Sequence, residues 1–229
     1  MRSFLMSGLA CLLLSQYAAA APIAVSSYAY DTSGWLPHSN AAYTDNGYNI
    51  SDQSPTPTEL TNGVLGTTVP SPFSDSQWVG IGPDNDADDG LVQPGLTFDL
   101  GTLYELDSLS IHYLSDHPSN GSGVRAPDSV DISFSEDGIT YSTPITFTGF
   151  LNQEAPFVGT LAFTANVDLT GFSGRFARLE FLNDSPWTFL SEIQFEGNVS
   201  QVIPEPSTLV LLGLGLSLML RKHRRHRAV

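Results

Sequence analysis

An antiparallel β-sandwich is predicted by three features of the sequence. Short apolar–polar alternations recur between residues 59 and 198, Gly, Pro, Asn and Asp cluster between them, and apolar runs long enough for a helix occur only at the two ends of the chain. Side chains alternate across a strand with period two, so each alternation offers one face to a core and one to water.

The chain opens with Arg2, an apolar stretch Phe4–Leu14 and the small residues Ala18, Ala19 and Ala20. This order of charge, apolar run and cleavage site is that of a secretory signal peptide, assigned to residues 1–20 with cleavage after Ala20. Cys11 lies inside it and is the only cysteine. Gly8 stands where a lipoprotein signal usually carries Leu, and the apolar run continues past Cys11, so lipidation is disfavoured. The exported chain is then free of thiols and must hold together by core burial, alone or with a metal.

About 185 residues remain before the C-terminal segment, enough for one domain with a sizeable core. Between Ala21 and Glu205 the only cations are Arg125, Arg175 and Arg178, and all 24 acidic residues lie there, a net charge of about −21. Nucleic acid and anionic membrane surfaces would be repelled by such a body. Divalent cations and neutral sugars are compatible with it. Residues 21–58 read as a weakly patterned lead-in region. It is rich in Ser, Thr, Asn, Asp, Pro and Tyr, with a stiff Pro-containing connector at Ser54–Thr58. Its aromatic residues Trp35, Tyr43 and Tyr48 suit the edge of a core better than a sugar platform.

Seven strands are expected: Leu96–Leu100, Leu106–Leu114, Ser129–Ser135, Ile145–Phe150, Leu161–Val167, Phe176–Leu182 and Phe189–Glu196. Val130, Ile132 and Phe134 share one face, opposite Asp131 and Ser133. Leu109, Ile111 and Tyr113 oppose Ser110 and His112, which places His112 at the surface. Ala177, Leu179 and Phe181 oppose Arg178 and Glu180, and Phe189, Ile193 and Phe195 oppose Glu192, Gln194 and Glu196. Asp137-Gly138 marks a tight turn.

Several of these pieces occur in a telling order. Glu59-Leu60-Thr61-Asn62-Gly63, Gln77-Trp78-Val79-Gly80 and Leu96–Gly101 come first. Ala126–Val130, Ser135–Gly138, Arg175–Leu179 and Trp187–Gly197 follow. The set is similar to the discoidin-type, galactose-binding-like jelly roll of coagulation-factor C domains, over residues 59–198. The resemblance implies binding of sugars, glycans or lipid headgroups by loops at one end of the sandwich, often beside a structural calcium ion. It would place such an ion at the loop Asn62–Thr67, with Asn62, Gly63 and Thr67, and at Glu192 of the last strand. Asn62 stands where the family commonly has Asp, which removes a charge, and Glu192 has an alternative partner in Arg178.

The loop Ser115–Arg125 carries His117, Asn120 and Arg125, and Trp187 precedes the last strand. Polar hydrogen-bonding groups beside an aromatic platform are what a carbohydrate site needs. The competing reading makes Trp187 a core plug and the loop merely solvated. Asp84–Gly90 packs four carboxylates into six residues, but Gly90 is one place late and Gly95 stands where an EF-hand requires Glu, so it is no EF-hand; the default is a solvated acidic turn, the alternative a looser calcium contact. No G-x-S-x-G, H-E-x-x-H or P-loop occurs, and no pair of carboxylates is singled out, so an enzyme is not expected.

The C-terminal segment, residues 199–229, has three parts: Pro204-Glu205-Pro206, an uncharged apolar run Leu209–Leu220, and the cations Arg221, Lys222, Arg224, Arg225 and Arg227. At about 1.5 Å per residue the run spans roughly 18 Å as a helix, short of a ~30 Å hydrocarbon core, which suits a transient anchor. The cationic end resists translocation and stays cytoplasmic. This order resembles the PEP-CTERM sorting signal. It implies recognition by an exosortase-type membrane transpeptidase, cleavage near the Pro-Glu-Pro motif, and passage to the cell surface or matrix. The combined expectation is an exported, non-catalytic surface or matrix protein that binds glycan, such as exopolysaccharide, with calcium support. The alternatives are a structural or protein-interaction module and, more weakly, a glycoside-acting enzyme.

Overall fold

The computed structural model describes residues 20–30, 36–37, 45–46, 55–68, 75–82, 95–117, 119, 123–153, 159–183 and 187–200. The chain divides into two compact units, residues 1–199 and 200–229. In the described part of the first unit the named strands all pair antiparallel, and η1 (Glu59–Thr61) is a short 3-10 turn. The strands are β1 (Ala21–Pro22), β2 (Ser27–Tyr30), β3 (Leu36–Pro37), β4 (Val79–Gly82), β5 (Gly95–Asp116), β6 (Ser129–Ser135), β7 (Ile145–Phe147), β8 (Thr160–Leu182) and β9 (Thr188–Val199). They are linked in the order β3-β4-β9-β5-β8-β6-β7, with β1 beside β9 and β2 beside β5. Among the described residues no helix is long and apolar enough to cross a membrane. The expected signal helix and C-terminal apolar helix lie outside the described residues.

Two pairs of expected strands are each one long strand. Leu96–Leu100 and Leu106–Leu114 are both in β5, and Leu161–Val167 and Phe176–Leu182 are both in β8. Their register steps where the sequence suggested a break. Asp99 faces Phe176 but Tyr104 faces Gly174, so β5 carries extra residues around Gly101. Leu106 faces Phe172 but Ser108 faces Asp168, so β8 carries extra residues around Gly171. Both glycines have positive φ, +82° and +91°, a conformation open to glycine and costly for other residues. Such bulges bend a strand, and here the two parts of the sheet face one another. Phe98 pairs along the sheet with Ala177 and Tyr28, whereas Phe195 pairs with Leu109. Yet their rings meet edge to face at 5.5 Å.

A main core of fully buried side chains lies between the facing parts, including Leu96, Phe98, Leu109, Ile111, Val130, Ile132, Leu179, Phe181, Ile193 and Phe195. Burial of one such side chain is worth about 1.5–3 kcal/mol. A second, smaller cluster holds Trp78, Leu114, Val124 and Phe189, with Ala162 and Trp187 against it. Phe189 belongs to this second cluster and not with Ile193 and Phe195 as the plain alternation suggested. His112 faces Glu192 and Tyr113 faces Leu190, so Ser191 is an extra residue that reverses the sides of β9. Ser133 is buried beside its apolar neighbours.

The lead-in region is partly absorbed into the folded unit. Ala21 and Pro22 pair with Gly197 and Glu196, and β2 pairs with Ser27 opposite Asp99 through Tyr30 opposite Leu96. The hydroxyls of Tyr28 and Tyr30 both donate to Asp45 Oδ2, and Asp45 Oδ1 accepts the amides of Thr58 (2.8 Å) and Glu59 (2.9 Å). Asp45 is fully buried. Burial above all pushes both phenols well above their ordinary pKa. This knot starts η1 and so sets where the following loop begins. Trp35, Tyr43, Tyr48 and the acidic stretch 84–90 lie outside the described residues.

Candidate functional site

Two neighbourhoods carry the residues singled out by the sequence, and the second apolar cluster lies between them. The first is the loop Asn62–Thr67, laid against β9 and β5. Gly63 donates its amide to Glu192 Oε2 at 3.0 Å and Gly66 donates to Ser191 Oγ at 3.1 Å. His112 Nε2 lies 3.3 Å from the Gly66 carbonyl oxygen, and the Trp78 indole N–H donates to the Thr67 carbonyl at 2.9 Å. Gly66 allows this close approach, since a Cβ there would fall 2.4 Å from Trp78 Cε2.

His112 is therefore buried, not at the surface. It stacks on Trp78 with ring centroids 5.3 Å apart and holds Thr164 Oγ1 at 2.9 Å through Nδ1. Burial lowers its pKa against the opposing pull of the Gly66 carbonyl. Glu192, register partner of His112, is also buried. Desolvation raises its carboxyl to about 7 even though the amides of Gly63 and Val64 favour its anion. It does not pair with Arg178, which bonds Glu180 at 3.0 Å.

The structure brings Gly63 and Glu192 together but turns the other expected calcium donors elsewhere. Asn62 Nδ2 donates to Glu59 and Gln77, each at 2.8 Å, and Asn62 Oδ1 accepts the Val64 amide at 2.7 Å. Thr67 Oγ1 and its amide both bond Asp75 Oδ2, at 3.0 and 2.7 Å. Calcium needs six to eight oxygens. Among the described residues no group of three or more His, Cys, Asp or Glu is placed to hold a metal ion. N–H groups, not oxygens, converge on the single carboxylate, and the Gly66 and Thr67 carbonyls are engaged by rings. Of the four expected calcium donors, the structure brings together only Gly63 and Glu192, and joins them by an amide–carboxylate bond.

The second neighbourhood gathers His117, Arg125 and Trp187 at the end of β5. Val124 forms a parallel bridge with Trp187; the Trp187 amide donates to the Gly123 carbonyl at 3.2 Å, and the Arg125 amide donates to the Trp187 carbonyl at 3.3 Å. The Asp116 amide donates to the Val124 carbonyl at 3.0 Å. Three separate segments thus meet through backbone bonds, which fix position more tightly than side chains on free loops. Trp187 is half-buried, packing edge to face on Phe189 at 6.3 Å. It is neither a sealed core plug nor a free platform.

His117 Nδ1 accepts the Ser119 amide at 3.2 Å and lies 2.7 Å from Ser119 Oγ. The Nε2 edge of the ring takes no part in this contact. Arg125 Nη1 is buried and has no hydrogen-bond partner among the described residues. Asn120 lies outside the described residues, as do Pro204, Glu205, Pro206, Arg221, Lys222, Arg224, Arg225 and Arg227.

Supporting residues escaped the sequence reading. Asn183 braces the Trp187 loop from within, donating to the Trp187 carbonyl at 3.3 Å and to Thr188 Oγ1 at 2.6 Å. Asn152 Oδ1 accepts the Ala126 amide and the Ser115 hydroxyl, each at 3.2 Å. Asp116 Oδ1 accepts the His117 amide at 2.9 Å and the Thr160 hydroxyl at 3.0 Å. No local motif marks these positions; a polar residue flanking a strand end is their only signal.

Comparison with known proteins adds two findings. Residues 202–225 match the family described as the PEP-CTERM protein-sorting motif. The chain carries a PEP-CTERM sorting motif. None of the curated proteins matches the chain. Among solved structures it is similar to the C-terminal domain of a chitobiase from Bacteroides fragilis, at 14% identity over 79% of this chain and 100% of that one, with a TM-score of 0.50. A fragment of a putative chitobiase from Bacteroides thetaiotaomicron is similar at 14% identity, over 82% and 98% of the two chains, with a TM-score of 0.48. A CBM32 module from Clostridium perfringens, in complex with GalNAc-β-1,3-galactose, is similar at 11% identity, over 76% and 99%, with a TM-score of 0.45. The likeness to the Bacteroides fragilis domain is one of fold. The PEP-CTERM motif marks the chain for export and membrane-associated sorting.

Proposed function

We propose that this PEP-CTERM protein is an exported, non-catalytic glycan binder of the cell surface or extracellular matrix. In this reading residues 1–20 direct export and are removed. The apolar run Leu209–Leu220 holds the chain in the inner membrane for a time, and an exosortase-type transpeptidase processes it near Pro204-Glu205-Pro206. The folded-over sheet is a galactose-binding-like jelly roll. His117, Asn120, Arg125 and Trp187 form its ligand end, and exopolysaccharide is the kind of ligand it meets.

One observation carries the ligand assignment. Backbone bonds join Trp187 to Arg125, so a half-exposed tryptophan and an arginine whose Nη1 has no hydrogen-bond partner among the described residues start from one end of the sheet. An aromatic face covers the apolar side of a sugar ring while fixed donors take its hydroxyls. The test is affinity electrophoresis of the exported domain through gels containing polysaccharide extracted from the host. Retardation that is lost in Trp187→Ala, with folding checked by thermal melting, is the expected result. Free migration of the folded wild-type domain in every gel would sink the glycan reading. It would favour a protein-interaction module.

A further inference from the structure

We infer that the open edge of β8 takes an extended polypeptide segment bearing lysine or arginine as an added strand. The inference does not depend on the glycan reading.

Only the second half of β8 is paired on both sides. Phe176–Leu182 lies between β5 and β6, whereas Thr160–Asp168 pairs with β5 alone among the described residues. A row of N–H and C=O groups with no strand beside it is a template for another chain. Sheet edges are normally blunted by brevity, proline, lysine or a bulge. The strands β1, β2, β3 and β7 are two to four residues long, β3 contains Pro37, and Pro144 directly precedes β7. Thr160–Asp168 keeps an unbroken register with β5 and holds no proline, glycine or lysine.

The side chains of this edge specify the segment. Leu161 and Phe163 are half-exposed, although they share the face of the buried Ala165 and Val167. Apolar residues on one face of an added strand would cover them. Thr164, Asn166 and Asp168 are exposed on the opposite face, where the register sets Asp168, Ser108 and Glu196 in one row. None of the three arginines of the exported body lies on β5, on β9 or on Thr160–Asp168. A net charge of about −21 repels an acidic segment, a second copy included, and draws in a basic one. A cation on the polar face of the added strand would stand beside Asp168 as a cross-strand pair. Main-chain bonds then supply affinity, and the alternation of apolar and basic residues supplies selectivity.

The probe is a synthetic peptide of alternating valine and lysine, capped at both ends. Its affinity for residues 21–199, the unit that holds its own core, is read by fluorescence anisotropy at physiological salt. Saturable binding is expected, with slowed hydrogen exchange confined to amides between Thr160 and Asp168. N-methylation of the peptide amides removes the ladder donors and keeps the charge, and should weaken binding by about tenfold or more. Replacing lysine with glutamate should abolish it. Asn166→Lys, confirmed as folded by thermal melting, sets a like charge on the edge and should weaken binding of the lysine peptide by about fivefold or more. The peptide comparisons use the wild-type unit, so a failure of the variant to fold does not affect them. Equal binding of the N-methylated peptide would reduce the contact to charge attraction and overturn the inference. Equal binding of the glutamate peptide, slowed exchange elsewhere, or no binding at all would overturn it too. Concentration-dependent dimers in sedimentation, with the same amides protected and no peptide present, would give the edge to a second copy instead.

Discussion

The Gly63 amide meets the Glu192 carboxylate at 3.0 Å across 129 residues of chain, closing the loop Asn62–Thr67 onto the last strand. Because desolvation raises the Glu192 carboxyl to about 7, the folded state binds its proton more tightly than the unfolded chain does. Stability from this group is therefore present at low pH and declines as pH rises from the ordinary glutamate range, about 4.3, toward 7. Glu192→Gln keeps an acceptor for Gly63 and removes the ionisation. Its melting temperature is expected to match wild type near pH 4 and exceed it by a few degrees at pH 8. A variant that is less stable than wild type at pH 8 would show that the charge is needed.

Calcium is expected to make no difference to folding. A site filled at 100 times its dissociation constant would contribute about 2.7 kcal/mol, several degrees in melting temperature for a domain of this size. Melting curves recorded with millimolar calcium and with chelator should superimpose. A chelator-induced drop of more than about 3 °C would restore the metal at Glu192.

Asp45 is expected to be among the least replaceable polar residues in the unit. Asp45→Ala strands two tyrosine hydroxyls and the amides of Thr58 and Glu59. Each unsatisfied buried group costs about 1–3 kcal/mol, so urea denaturation should show a loss of about 3 kcal/mol or more. A loss below about 1 kcal/mol would mean the knot is not formed in solution.

Gly66→Ala tests the seat of the loop. Its new Cβ would press on the indole of the fully buried Trp78, and overpacking of this kind costs about 1–3 kcal/mol. The near-ultraviolet circular dichroism of the tryptophans should change with the stability. An unchanged signal and midpoint would show that the loop sits farther from Trp78.

Arg125→Met should separate binding from stability. It removes a buried donor that lacks an acceptor while keeping the unbranched stem, so its melting temperature should equal or exceed that of wild type. A fall of more than about 5 °C would mark Arg125 as a structural residue.

The strands were legible because their alternation is local. Ala177, Leu179 and Phe181 are buried on the side their spacing indicates, and the same holds for Leu109, Ile111 and Tyr113. What the alternation could not carry was continuity. Gly101 and Gly171 look like strand ends in sequence, yet they are bends within β5 and β8, because glycine permits both a turn and a bulge. Ser191 hides a reversal of sides that no residue type announces, so Phe189 was placed on the wrong face. His112 looks exposed in sequence because its cover, the loop around Gly66, comes from 46 residues earlier. The tie of Asp45 to Tyr28 and Tyr30 was equally out of reach, since a buried carboxylate is identified only by its distant donors. In sequence Trp187 and Arg125 stand out by their chemistry alone; the bond between them belongs to tertiary structure.

The placement of β9 bears on how the protein leaves the cell. This last strand is not at an edge: it pairs with β5 along most of its length and with β4 and β1 on its other side. A chain threaded outward from its amino end cannot complete the sheet until residue 199 has emerged, so the earlier strands wait unpaired. The apolar run Leu209–Leu220 begins only about ten residues later. In the sorting reading proposed above, arrest in the bilayer and closure of the fold would then be nearly simultaneous events.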